Sequence, residues 1–275
     1  MGPLKHYVIP TDLSDAAIHA AELGLGALGT EGATVTLVYS YLNLSTGSPL
    51  TVDLDQLMEQ SARDGMRDFE ERLRQRIDLR NATVKTCIEH GDLPNVIDRV
   101  TEEIGSVDLL IMGTSGAAGV KKALMGSNAA DVVERSHVPV LVIPNTSQIG
   151  PAQRVVIADD GGEVDKELLK PLRWLIDPER TRITVVHVSR SGERMSGHSP
   201  YADALEGLRC SFLTVPGTEV SEVLSSTLRE LDADLLVLVH RRKGVFKDLF
   251  RKSISAEISM LAEVPMLVLE HLKGT

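Results

Sequence analysis

The sequence predicts an α/β protein made of two tandem, doubly wound domains, each a five-stranded parallel sheet flanked by helices. The first observation behind this is an internal repeat. GDLPNVIDRVTEEIGSVDLLIM (91–112) runs in parallel with GTEVSEVLSSTLRELDADLLVL (217–238), an offset of 126 residues, and the same offset carries HVPVLVIP (137–144) onto EVPMLVLE (263–270). Near the start, YVIPTDLS (7–14) matches VVIADDGG (155–162) at an offset of 148. Chance likeness between apolar strands explains one such match; three in order, two of them in one register, point to duplication. The second observation is alternation. Short, β-branched, nearly continuous apolar runs are separated by stretches of helical periodicity, as in strands buried on both faces and joined by helical crossovers.

In the first copy the strand candidates are HYVIP (6–10), TVTLVYSY (34–41), TVKTCIEH (83–90), DLLIMG (108–113) and PVLVIP (139–144). Between them, DAAIHAAELGLGAL (15–28), DLDQLMEQSARDGMRDFEERLRQRI (53–77), NVIDRVTEEI (95–104) and NAADVVERS (128–136) read as helices. The second copy is 22 residues shorter (148 minus 126), and the loss falls between its second and third strands. There a short piece around SPYADALEGL (199–208) replaces the long charged helix. NTSQIGPAQ (145–153), polar with Gly and Pro, reads as the linker. The expected domains are therefore 1–147 and 152–275.

Composition removes several function classes. Only 3% of residues are aromatic, with one Trp, which argues against stacking platforms for single-stranded nucleic acid. The net charge of −10 excludes a globally basic nucleic-acid footprint, so no nucleic-acid partner is expected. Cys87 and Cys210 are too few for a disulfide framework or a four-thiolate zinc site. The start, MGPLKHYVIPTD, lacks the apolar core of a signal peptide, and His6 spoils a myristoylation signal. Aliphatic runs such as LLVLV (235–239) are too short to span a bilayer. The expectation is a soluble, cytoplasmic protein with no membrane partner.

One Gly-x-Gly-x-x-Gly string occurs, Gly24-Leu-Gly26-Ala-Leu-Gly29. A dinucleotide site needs that string to follow a strand and open a helix. Here it closes a helix, so helix packing and a glycine C-cap are the better account. No Gly-x4-Gly-Lys-[Ser/Thr] is present, and no His pair stands at helical ligand spacing, so neither a P-loop nor a protein metal site is expected.

The stronger signal follows the fourth strand of the first copy: Met112-Gly113-Thr114-Ser115-Gly116, then Gly126-Ser127-Asn128 at the start of a helix. Such a glycine-bearing loop lets main-chain N–H groups approach phosphates, and the helix dipole favours the anion. Equally, the glycines could serve turns in a surface loop, with Ser127 or Asn128 merely capping the helix.

The spacing Gly113-x2-Gly116-x9-Gly126-Ser127 resembles the Gly-x2-Gly-x9-Gly-[Ser/Thr] loop of the universal stress protein family. Val8-Ile9-Pro10-Thr11-Asp12, Gly91-Asp92, Val107-Asp108 and Val138-Pro139 agree with that family's pattern elsewhere. Both copies share the likeness, so the chain resembles a tandem universal stress protein, with strand order 3-2-1-4-5 in each domain. The resemblance implies ATP as ligand, with Mg2+ able to accompany it, bound where the strand order reverses. It implies Asp12 beside the adenosine, Pro10 and Thr11 shaping that wall, and backbone near Ser40 at the adenine edge. Met112 and Gly113 would flank ribose and phosphates, with Gly116, Gly126, Ser127 and Asn128 cradling the phosphates. Asp12 with Ser14 could also simply cap the first helix. The family's edge pairing further implies that the fifth strands, 139–144 and 265–270, join the domains as an intramolecular pseudo-dimer, since an unpaired apolar edge is an aggregation hazard. A homodimer of whole chains is a further expectation.

The duplication supplies an internal control. At the offset of 126, Gly113 becomes Val239, Gly116 becomes Arg242, Gly126 becomes Lys252 and Asn128 becomes Ile254, while Ser127 persists as Ser253. The second loop has lost the glycines that permit close backbone approach. It gains charge at Arg241, Arg242, Lys243, Lys247, Arg251 and Lys252. That cluster is either a solvated face or a patch for an anion or acidic partner. The leading function is stress response or signalling with an adenine nucleotide in the first domain and the second as structural or regulatory partner. The alternatives are a slow ATP hydrolase or phosphotransfer protein, and a nucleotide-free adaptor. Phosphoryl transfer needs a metal-holding carboxylate and a positioned nucleophile, and no catalytic base is identifiable.

Overall fold

The structure, a computed structural model, describes residues 5–42, 50–114, 125–148, 150–189, 199–241 and 263–270. The first half supplies strands β1 (His6–Thr11), β2 (Thr34–Tyr41), β3 (Thr83–His90), β4 (Leu109–Gly113) and β5 (Val140–Ile143). The second supplies β6 (Arg154–Asp159), β7 (Arg182–Ser189), β8 (Arg209–Pro216), β9 (Leu235–His240) and β10 (Met266–Glu270). All ten lie in one sheet, in the order β3-β2-β1-β4-β5-β10-β9-β6-β7-β8. Each half thus keeps the expected 3-2-1-4-5 order and parallel pairing, as in the register Val8↔Thr36 and Val155↔Ile183.

The halves meet antiparallel, Val140↔Val268, Leu141↔Leu267 and Val142↔Met266. All six side chains are buried. Each fifth strand would alone be a bare apolar edge; pairing covers both. The expected pseudo-dimer through the fifth strands is what the structure has.

Helices α1 (Asp15–Leu28) and α2 (Leu50–Arg76) cover one face of the first half, and α3 (Leu93–Ile104) and α4 (Ser127–Arg135) the other. α1 starts on a side-chain cap, Ser14 Oγ accepting from the Ala17 N–H at 3.2 Å. It stops at Gly29, whose φ of +77° suits glycine and whose N–H reaches Leu25 O at 2.9 Å. Within α1, a methyl on Gly24 would stand 2.5 Å from Ile111 Cγ2 and 3.2 Å from Ile143 Cδ1. The Gly-x-Gly-x-x-Gly string therefore serves close packing of helix on sheet and termination of that helix.

The second half departs from its template. Its strand-one turn is not followed at once by a helix; the helix there, α5, is only Lys170–Leu175. Pro171 explains this. In a helix begun at the turn it would fall in the interior, where it lacks the N–H and clashes with the preceding turn, so the helix can only begin beside it. α6 (Pro200–Ala204) is the short piece expected in place of α2, and α7 (Val220–Glu230) matches α3. Among the described residues no helix is long and apolar enough to cross a membrane.

Candidate functional site

β1 and β4 are neighbours whose chains leave in opposite directions along the sheet, to β2 and to β5. Open α/β sheets bind ligands beyond the carboxyl ends of such a strand pair. At the end of β1, Pro10 and Thr11 are buried and Asp12 is exposed. Thr11 Oγ1 accepts from the Leu13 N–H at 2.9 Å. Asp12 Oδ1 accepts from the Ser14 N–H at 3.1 Å and the Ser14 hydroxyl at 2.6 Å. These bonds bend the chain so sharply that Leu13 takes φ +67°, a left-handed conformation unfavourable for a γ-branched side chain. Arg72 of α2 holds the turn, donating to Leu13 O at 2.9 Å and to Asp15 at 2.9 Å. Backbone held out of its preferred region by surrounding contacts is a feature of ligand sites. Ser40, half-buried, closes β2 on the same edge.

At the end of β4, Met112 is buried and Gly113 half-buried. The Thr114 N–H reaches Ile143 O at 3.2 Å, and Thr114 O accepts from the Gly126 N–H at 2.6 Å. That second bond brings the start of α4 back to the tip of β4. Gly116, with the rest of 115–124, lies outside the described residues. The structure corrects the capping expectation here. The N-cap is Gly126, which has no side chain, and Ser127 and Asn128 are the first two helical residues, both exposed. The helix before it, α3, has Asp92 accepting from the Asn95 N–H at 3.4 Å; among the described residues α4 has no side-chain cap. Its first turn carries the N–H groups that lack an intrahelical acceptor and the positive end of the helix dipole.

The corresponding corner of the second half repeats the turn. The Gly161 N–H reaches Asp159 Oδ1 at 2.7 Å and the Gly162 N–H reaches Asp160 Oδ1 at 3.1 Å, with Gly161 at φ +76°. What faces the turn is different. Arg241 Nε lies 2.8 Å from Asp160 Oδ2, and Arg241 also donates to Glu163 O at 2.6 Å. The two side chains are 15% and 3% exposed. Arg241, expected within a charged surface cluster, is thus turned inward; Arg242, Lys243, Lys247, Arg251 and Lys252 lie outside the described residues. Val239, which replaces Gly113, is buried.

Sequence reasoning missed three partners of this second corner. Asp159 is buried, with His187 Nδ1 at 3.6 Å from its Oδ2. Burial pushes the Asp159 carboxyl up, against the pull of the Gly161 N–H and His187. The Tyr201 hydroxyl is buried without a hydrogen-bond partner among the described residues; burial raises its pKa, with Asp159 and Asp160 adding to the shift. The adjacent acids Asp159-Asp160 at a strand end were the available signal. Among the described residues, no three His, Cys, Asp or Glu side chains gather as a metal site.

Comparison with known proteins bears on both halves. The model of the universal stress protein family matches residues 3–144. A universal stress protein of Methanocaldococcus jannaschii, MJ0531, is 28% identical over 140 residues, 50% of this chain and 81% of the relative. The crystal structure of a universal stress protein from Archaeoglobus fulgidus superposes with a TM-score of 0.71 at 20% identity, covering 97% of this chain and 96% of that one. A functionally unknown protein from Pseudomonas aeruginosa, PA1789, follows the fold over 98% of this chain and 93% of its own, with a TM-score of 0.53 at 16% identity.

Proposed function

This chain belongs to the universal stress protein family, and on that premise we propose that residues 1–147 form a domain binding one adenine nucleotide, ATP, while residues 152–275 form a second domain that serves as its structural or regulatory partner. One observation carries the reading. The end of β4 is tied through Thr114 and Gly126 to a helix start that, among the described residues, lacks a side-chain cap, beside the exposed Asp12 turn. Orphan N–H donors and a positive dipole end suit phosphate oxygens. An exposed carboxylate suits ribose hydroxyls, which donate to it. The donor set therefore fits a nucleotide.

In this reading Gly116, Gly126, Ser127 and Asn128 hold the phosphates, Met112 and Gly113 flank the ribose, and Asp12 takes its hydroxyls. Pro10 and Thr11 wall the nucleoside, and backbone near Ser40 meets the adenine edge. The test is to denature the purified chain, identify any released nucleotide by mass, and titrate the emptied protein calorimetrically with ATP, ADP and AMP. The expected result is one site per chain, with the tightest binding for ATP. Absence of binding by all three at millimolar concentration would overturn the reading.

A further inference from the structure

We propose that Arg241 is the resident occupant of the second domain's ligand corner and the residue that keeps adenine nucleosides out of it. The proposal rests on the nucleotide reading of the first corner only for the identity of the excluded ligand.

The backbone of the two corners argues that the second was built to hold a ligand. Thr11/Leu13 and Asp159/Gly161 make the same turn bond, at 2.9 and 2.7 Å. Asp12/Ser14 and Asp160/Gly162 make the next, both at 3.1 Å. The residue between is left-handed in each, at φ +67° and +76°. The strand-one turn has therefore survived duplication.

What fills the space before it is a side chain. Arg241 leaves the end of β9, the strand beside β6, and lays its guanidinium across Gly162. A Cβ built on Gly162 would lie 2.5 Å from Arg241 Cζ and 2.5 Å from its Nε. No side chain at 162 is compatible with that position, and the first corner has Ser14 at the matching place. The charge is taken up as well. Arg241 Nε meets both oxygens of Asp160, at 3.1 and 2.8 Å, and another guanidinium nitrogen is used by Glu163 O. Asp160, the counterpart of Asp12, is left 3% exposed. A planar, permanently charged fork held at several points is a rigid plug, and a nucleoside would have to displace it from an almost dry carboxylate. Glu163 can offer its carbonyl because the chain there is irregular, α5 starting only at Lys170.

The experiment uses the full chain carrying Asp12→Ala together with Gly116→Arg, which remove the first corner's ribose and phosphate contacts, so that any adenosine binding comes from the second domain. Into it go, separately, Arg241→Ser, Gly162→Ser and Asp160→Asn. The first removes the plug. The second evicts it sterically with the residue found at the first corner, and the third releases it with an isosteric neutral side chain. Adenosine binding is measured by equilibrium dialysis on variants that keep the parent's circular dichroism and cooperative melting. The parent should bind adenosine negligibly, and folded Arg241→Ser and Gly162→Ser should each bind at least roughly tenfold more tightly. Asp160→Asn, which frees Arg241 but removes the carboxylate that would take the ribose hydroxyls, should show no such gain. No gain in folded Arg241→Ser and Gly162→Ser overturns the proposal. Should the wild-type chain bind no nucleotide at all, the first-corner reading fails, while the gain in these variants still reports on Arg241.

Discussion

In the first half Asp12 stands exposed at the end of β1; in the second, Asp160 stands at the end of β6 beneath the guanidinium of Arg241. The turns that carry them have the same bonds and the same left-handed residue. The two corners therefore differ neither in the fold nor in the strand-one turn. They differ in what the neighbouring strand delivers to the turn: Gly113 at the end of β4 and a helix start whose N-cap is Gly126, but Val239 within β9 and Arg241 after it.

The largest effect should come from importing the second copy's residue into the first. Gly116→Arg is expected to lower ATP affinity at least a hundredfold, about 2.7 kcal/mol, by placing a long cation where backbone must approach phosphate. The melting temperature should hardly move. Calorimetric titration decides it, and unchanged affinity would break the asymmetry between the copies.

The next effect concerns packing. Gly24 lets α1 lie against Ile111 and Ile143, whereas the matching residue in the second copy is Leu172 on a shorter, later helix. Gly24→Leu should destabilise by roughly 2–3 kcal/mol, since overpacking a close helix–sheet contact forces backbone shifts. Denaturant unfolding measures this; a neutral result would mean that α1 can shift outward from the sheet to admit the side chain.

The strands were legible because parallel strands buried on both faces carry β-branched runs that little else explains. The repeat made their order legible, and the joint Leu141↔Leu267 followed from two apolar edges that each needed a partner. The corners were less so. Nothing in Leu13 advertises a positive φ; only its alignment with Gly161 would have exposed it. Arg241 sits in a run of basic residues, and a charge run reads the same whether one member faces solvent or a buried carboxylate. The late start of α5 is legible in Pro171, which cannot sit in the interior of a helix begun at the turn. Ser127 and Asn128 both belong to the residue types that cap helices, yet Gly126 takes that place.

A smaller effect tests the capping contrast at the turns. The Ser14 hydroxyl caps α1 and also donates to Asp12, while Gly162, which has no side chain, offers Asp160 only its N–H. Ser14→Ala should cost about 1 kcal/mol of stability, the usual worth of an N-cap side chain. It should also weaken ATP binding a few-fold by loosening Asp12, whereas Ser14→Thr, which keeps the hydroxyl, should restore both. Loss of stability without any change in affinity would separate the cap from the site.

The smallest effect lies in the second corner, at Asp159, where the first has the neutral Thr11. Burial raises the folded-state pKa of Asp159 above its ordinary value, with the Gly161 N–H and His187 pulling the other way and Asp160 adding to the rise. A carboxyl with a raised folded pKa holds its proton more tightly in the native state, so ionisation costs stability. The cost is absent below the unfolded-state pKa. It grows as pH rises from that value to the folded one, and it is complete above it. Asp159→Asn keeps an oxygen to accept from Gly161 while removing the desolvated charge. The variant should therefore match the wild type near pH 3 and exceed it at pH 7 by somewhat under about 1 kcal/mol, the scale of a single buried polar change. Melting temperatures across that range check both the sign and the window. If the variant is instead less stable at pH 7 than at pH 3 relative to wild type, the attraction of His187 and Arg241 for the carboxylate outweighs its desolvation, and the second corner is a charge-stabilised structural centre, not a site strained by burying an acid.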